Sequence, residues 1–309
     1  RTVDKNGEIS VVKRLISTNS SEILKMNAQE LKQSIKASEG RVVLSENVAP
    51  RESFIGDITN AEIARAFGAD LVLLNGLDLL HPKIFGLDSK EDNIIEELHS
   101  LVGCPIGVNL EPVDLSAELQ EERLELEIGR QANLQTFKRA EDLGIDFICL
   151  TGNPGTGVSN KQIIKAIEEA KRTFSGLIIA GKMHGAGVDE AIVDVGITQK
   201  LLNAGADIIL VPAVGTVPGF KEEDLVEIVK EVHKRNGLVL SAIGTSQESS
   251  DVSTIRDIAI RNKICGVDIQ HIGDAGYGGV APVENIFELS KAIRGVRHTV
   301  SVIARSINR

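Results

Sequence analysis

Eight short apolar runs recur along the chain, each closing on glycine or small polar residues and each followed by a segment with apolar positions at helical spacing. In order they are RVVLSEN from Arg41, DLVLLNG from Asp70, CPIGVNLEP from Cys104, DFICLTG from Asp146, LIIAGKMHG from Leu177, DIILVPAVG from Asp207, LVLSAIGTS from Leu238 and VDIQHIG from Val267. Within a run the apolar residues are continuous rather than alternating, as parallel strands covered on both faces require. The segments between read as helices. In ITNAEIARAFG, Thr59 or Asn60 is the N-cap, Ile63, Ala66 and Phe67 form the apolar stripe, and Gly68 is the stop. Similar reasoning places helices over 91–101, 130–143, 160–174, 188–203, 222–235, 252–262 and 283–293.

A weak repeat supports the count. Gly-x-Asp followed by apolar residues occurs at Gly68–Asp70, Gly144–Asp146, Gly205–Asp207 and Gly266–Asp268, at the start of strands two, four, six and eight. A repeat on alternate strands is the trace of βαβα units closed into a barrel, whose core layers draw on alternate strands. These aspartates are expected to be structural, at the barrel's N-terminal face. The predicted fold is therefore α/β, a single (β/α)8 TIM barrel over residues 41–295, with an open doubly wound sheet as the alternative. Residues 1–40 form an extension whose helix, with Asn27 as N-cap, Glu30 at the third position and Gly40 as the stop, is expected to close the barrel bottom. Residues 296–309 alternate basic and apolar positions and read as a tail, a last helix or an arm against a second subunit.

Composition narrows the partners. The 309 residues are 42% hydrophobic and 25% charged, with no apolar run suited to crossing a bilayer. A net charge of −10 with 3% aromatic residues and no Trp argues against nucleic acid, which needs a basic face and stacking platforms. Cys104, Cys149 and Cys265 are widely spaced in apolar surroundings, so they read as reduced core thiols and the expected location is cytoplasmic. The chain shows no secretory leader pattern.

In such a barrel the chemistry lies at the C-terminal ends of the strands. That rule selects Glu46, Asn75, Asn109, Glu111, Asn153, Lys182, His184, Thr216, Thr245, Ser246, His271 and Asp274. The stretch HIGDAGYGG, with Gly273 and Gly276 among four glycines in nine positions, raises the question of what so bare a backbone approaches. Barrel phosphates commonly sit between the loops after strands seven and eight, on main-chain N–H groups. Here those loops are AIGTS, with Gly244, Thr245 and Ser246, and HIGDAGYGG; the loop holding Gly215 and Thr216 is similar in character. The expected ligand is a small phosphorylated metabolite, since no P-loop or dinucleotide fingerprint is present.

For catalysis, Lys182 and His184 are two apart and would share one side of an extended strand end. Lys182 suits proton transfer, a Schiff base or a fixed positive charge; His184 suits a proton relay or a loop hydrogen bond. Glu111 is read as a general base or, with Glu46, as an oxygen ligand for a divalent metal such as Mg. His271 could equally be a core histidine satisfied by a neighbour, and Cys149 fills the barrel. The long segments after strands two and three, with His81 and Lys83 in the former, read as lids or subunit contacts, and a homo-oligomer is expected.

The motifs DITNAEIARAFGADLVLLN, VNLEP, LTGNPGTGVSN, GKMHGAG, AGADIILVPAVGT and HIGDAGYGG together resemble those of a family of uncharacterised bacterial (β/α)8 barrels. Its members are labelled either phosphoenolpyruvate phosphonomutase-like or haloacid-dehalogenase-like hydrolase. The first label implies a lyase, mutase or isomerase acting on a phosphorylated or phosphonate carbonyl metabolite. The second implies an Asp-x-Asp nucleophile motif, which the sequence lacks, as it lacks the paired Asp-x-Asp magnesium site and the Lys-Lys-Cys-Gly-His type loop of the mutases. The two function classes that follow are an enzyme of this kind, aldolase included, and a non-catalytic metabolite-sensing or assembly barrel.

Overall fold

A computed structural model describes residues 2–3, 9–10, 12–113, 126–152, 157–184 and 192–309. Eight parallel strands, β1 Val42–Val48, β2 Leu71–Asn75, β3 Ile106–Leu110, β4 Phe147–Leu150, β5 Leu177–Gly181, β6 Ile208–Pro212, β7 Leu238–Ile243 and β8 Ile269–Ile272, close on one another, with β8 pairing β1. The predicted (β/α)8 barrel is thus the observed fold. Eight helices follow them: α1 Asn60–Ala66, α2 Ile94–Val102, α3 Leu134–Leu143, α4 Asn160–Ala170, α5 Val195–Ala204, α6 Glu222–Lys234, α7 Val252–Ile264 and α8 Val283–Ala304.

Strand alternation divides the core in two. Val42, Leu44, Leu71, Leu73, Phe147, Cys149, Leu177, Ile179, Leu210, Leu240 and Ile269 fill the barrel interior. The residues between them, such as Val72, Val108, Ile148, Ile178 and Ile209, face the helices. Both faces being apolar explains why the strands read as continuous hydrophobic runs.

Helix starts differ from the sequence expectation where a cap decides. Asn133 accepts a hydrogen bond from Thr136 N at 2.9 Å, so α3 begins at Leu134 rather than 130. Asp194 accepts from Ile197 N at 2.7 Å and caps α5 at Val195, while residues 188–191 of the expected helix lie outside the described residues. At the C-terminus α8 continues past 293 through a kink at Gly295, where φ is 72°. Its second half carries Val302 to the N-terminal end of the barrel, beside Leu15 and Ile16. The N-terminal helix Ala28–Ala37 has the Asn27/Glu30 capping box and sends Leu31 and Ile35 into the interior cluster.

The Gly-x-Asp repeat is a repeated hydrogen-bond device. Asp70, Asp146, Asp207 and Asp268 each accept from a backbone N–H near the start of the preceding strand (Val43, Ile106, Ile178 and Val239) at 2.8–2.9 Å. Each returns its own N–H to the carbonyl of that same residue. Each also faces a cationic or imidazole partner: Arg294, His99, Lys32 and His233, respectively. These residues lie at the N-terminal face, where they tie neighbouring strands together. None of the helices of the described residues is long and apolar enough to cross a membrane.

Candidate functional site

The site is built from strand ends by the same alternation that fills the core. Glu46 follows Val42 and Leu44 on the inward side of β1 and is 4% exposed. His271 pairs in register with Leu44 and so faces inward from β8, where its Nε2 lies 2.9 Å from Glu46 Oε1. Both groups are enclosed, so the carboxylate and imidazole satisfy each other at one atom each. Asn109, in register with the interior residue Cys149, donates through Nδ2 to Asn75 Oδ1 at 3.2 Å. Asn75 in turn donates to Asp274 Oδ2 at 2.9 Å. Three elements, β2, β3 and the loop after β8, are thereby joined by one chain of side-chain hydrogen bonds.

Asp274 has its carboxyl pushed up to about 7, chiefly by burial and next by the negative charge of Glu46, against the opposing hydrogen bond from Asn75. A carboxyl with that value exchanges protons at neutral pH.

Sequence reasoning missed Glu248. After β7 the backbone takes a left-handed conformation at two successive residues with side chains, Thr245 (φ 54°) and Ser246 (φ 65°). Such strain persists only where the surroundings enforce it, and it clusters at functional sites. Here it launches the single turn Gln247–Ser249, which places the Glu248 carboxylate inside the mouth, 3% exposed. Asn285 on α8 holds the turn by donating to the Glu248 and Ser250 carbonyls at 2.8 and 2.7 Å. Glu248 Oε2 accepts from Ala275 N at 3.3 Å, while burial raises its pKa. The available signal was a carboxylate two residues beyond the AIGTS turn, in a stretch otherwise made of hydroxyls and amides.

Glu248 also answers the question raised by HIGDAGYGG. A Cβ on Gly273 would stand 1.9 Å from Glu248 Oε2, and one on Gly276 would stand 2.0 Å from the Val280 carbonyl oxygen. What these two glycines approach is the protein's own carboxylate and turn.

The remaining predicted residues divide as follows. Glu111, at the end of β3, is 1% exposed and lies 3.8 Å from the Arg130 guanidinium. Lys182 is 1% exposed, directly after β5. The premise that it shares a side with His184 required the strand to continue, but β5 ends at Gly181 (φ 146°) and the chain then bends. Met183, between the two, packs against the interior cluster, and His184 is half-buried. Thr245 Oγ1 donates to Thr216 O at 2.8 Å, so the loop of Gly215 and Thr216 and the loop of Gly244, Thr245 and Ser246 meet at the rim. Asn153 lies outside the described residues, as does most of the expected lid after strand three. Among the described residues no three His, Cys, Asp or Glu side chains are arranged to hold a metal ion. Burial drives the Cys149 thiol well above its ordinary pKa, consistent with a filling role in the barrel.

A family model described as a domain of unknown function (DUF7916) matches residues 16–309. Among solved structures, a putative fructose-1,6-biphosphate aldolase from Coccidioides immitis is similar with a TM-score of 0.51 at 13% identity, over 91% of this chain and 94% of that one. A 2,3-dimethylmalate lyase, described as a PEP mutase/isocitrate lyase superfamily member, is similar with a TM-score of 0.50 at 12% identity, over 82% and 81%. At such identities the likeness is one of fold. No curated protein matches. The hydrolase half of the sequence resemblance finds no support: neither structure is of that kind, and the nucleophile motif is missing.

Proposed function

For this chain, which belongs to the DUF7916 family, we propose that the C-terminal mouth of the barrel carries out proton transfer on a small anionic carbonyl metabolite, phosphorylated or phosphonate, in a reaction of the lyase, mutase or isomerase kind. The observation that carries this reading is Asp274, whose carboxyl titrates at about 7 beside a buried Glu46–His271 pair. Two barrels of the same shape, one a lyase and one a putative aldolase by description, are consistent with such chemistry.

In the lyase form, Asp274 takes the proton of a hydroxyl β to the carbonyl. The bond between the α and β carbons breaks, its electron pair moves through the α carbon to the carbonyl oxygen as an enolate, and a proton returned to the α carbon completes the product. Asn75 and Asn109 hold Asp274 in place, and Glu46 fixes the ring of His271 next to it. Lys182 supplies fixed positive charge for the enolate or the substrate's anionic group, with His184 and Glu111 at the same rim. Glu248 fills the space over Gly273. The substrate's anion is therefore assigned to the outer rim, on main-chain N–H groups of the Thr245–Ser246 turn and of Gly215.

The test is a thermal-shift screen of sugar phosphates, phosphoenolpyruvate and phosphonates, with and without magnesium, followed by turnover assays on the compounds that bind. kcat/KM is expected to change with an ionisation near pH 7 that disappears in Asp274→Asn. Turnover that is flat from pH 5 to pH 9 and persists in that variant would remove Asp274 from the chemistry.

A further inference from the structure

The enclosed polar atoms of the mouth describe the ligand more closely than the loops do. Asn109 Oδ1, Glu248 Oε1 and His271 Nδ1 are buried and have no hydrogen-bond partner among the described residues. The three residues are 5%, 3% and 0% exposed. In each, the other polar end is already committed: Asn109 Nδ2 to Asn75, Glu248 Oε2 to Ala275 N, and His271 Nε2 to Glu46. What remains is an amide oxygen, a carboxylate oxygen and the second ring nitrogen of His271. The two oxygens are acceptors, the ring nitrogen can bond a hydroxyl in either sense, and an enclosed polar atom without a partner is unfavourable.

They also share one side of the barrel wall. Asn109 and His271 are in register with the interior residues Cys149 and Leu44. The Glu248 carboxylate lies over Gly273, two residues beyond His271 along β8.

We infer that the mouth recognises a polyhydroxylated small molecule, whose hydroxyl groups, spaced along a carbon chain, donate to Asn109 and Glu248 and bond the free ring nitrogen of His271. This deepens the proton-transfer reading and rests on it for the location of the site. Among the described residues no three His, Cys, Asp or Glu side chains are grouped to hold a metal ion. Polar atoms distributed over β3, β8 and the turn after β7 match hydroxyls that are distributed as well. A second anion at this end would meet the charge of Glu46 and of Glu248. A hydroxyl can also accept, and Asp274, partly protonated near neutral pH with a value of about 7, has an O–H to offer it.

Isothermal titration of the full chain at pH 7 tests the inference with a matched series: ribose 5-phosphate, 2-deoxyribose 5-phosphate, phosphoenolpyruvate and phosphoethanolamine, with ribose alone as the unphosphorylated arm. The hydroxyl-rich members are expected to bind at least tenfold more tightly than the hydroxyl-poor ones. Asn109→Leu and Glu248→Met should each cut that preference to about threefold or less, with circular dichroism confirming that both variants are folded. Equal affinity across the series, tighter binding of the amine, no saturable binding of either ribose compound, or a preference unchanged in both folded variants would overturn it. The two readings fail separately. A hydroxyl preference without an Asp274-dependent turnover removes the proton-transfer reading alone, whereas Asp274-dependent turnover of a compound with no hydroxyl removes the inference alone.

Discussion

At the N-terminal end of the barrel Asp70, Asp146, Asp207 and Asp268 each receive a backbone N–H and face a cation or imidazole. At the C-terminal end Glu46, Glu248 and Asp274 crowd around one imidazole, and Glu248 keeps an oxygen with no partner among the described residues. Both ends bury carboxylates. The first arrangement gives each one a partner, and at the enclosed Asp70 removing that partner leaves a buried charge isolated. The second leaves charge and hydrogen-bonding capacity unspent, which is how a site stays ready for a proton and a ligand. Completeness of pairing, more than residue type, separates the structural end from the functional one.

Four variants probe this contrast. The largest effect is expected from Asp274→Asn, which should lower turnover by roughly 100- to 10,000-fold, the usual range for a lost general acid or base. The same change should stabilise the protein. The folded carboxyl titrates at about 7, above its ordinary value, so ionisation opposes folding and stability falls as pH rises from about 4 to 7. Denaturant unfolding at pH 8 should show Asp274→Asn more stable than the parent by about 2–4 kcal/mol, with no difference at pH 3. A variant that is less stable at pH 8 would mean that the mouth is as completely paired as the base.

At the base, Arg294→Met should be destabilising by about 3–5 kcal/mol, because Asp70 is left buried without its guanidinium. Combining it with Asp70→Asn should recover part of that loss in the same unfolding experiment. No recovery would show that Arg294 acts through its contacts with the Arg41 and Gly68 carbonyls instead.

Ser246→Gly should raise stability by about 1 kcal/mol in a thermal melt, since glycine accepts the left-handed backbone that serine resists. A fall in melting temperature would argue that the turn is not strained. The smallest effect belongs to His233, whose hydrogen bond to Asp268 raises the imidazole pKa. Its contribution is fully present below the ordinary imidazole pKa and fades as pH rises through the raised value. His233→Gln should therefore lose less than about 1 kcal/mol at pH 5.5 and almost nothing at pH 9, measured by chemical denaturation.

The barrel was legible in the chain because both faces of a covered parallel strand are apolar, and each strand run from Arg41 to Val267 carries that continuity within itself. The repeated aspartates were legible for a related reason: the device joins adjacent strands at equivalent register, so it leaves a period. Helix boundaries were less so, since Asn133 and Asp194 act as caps only because their side chains reach an N–H three residues on. The mouth was half legible. Strand ends located Glu46, Asn75, Asn109, His271 and Asp274, but their grouping into a carboxylate–imidazole pair and an amide–amide–carboxyl chain joins residues up to 225 positions apart. Lys182 and His184 were given a common side by a strand that ends at Gly181.

By itself, then, the sequence determined the number and order of strands and helices, the capping box before the barrel and the four aspartates at its base, because local periodicity and near-neighbour hydrogen bonds govern all of these. Closure of the sheet decided the rest. It set β8 beside β1, brought His271 to Glu46, and let a strained turn carry Glu248 over Gly273. Burial in that shared space raised Asp274 to about 7, since desolvation and neighbouring charge belong to the assembled mouth and to no single stretch of chain.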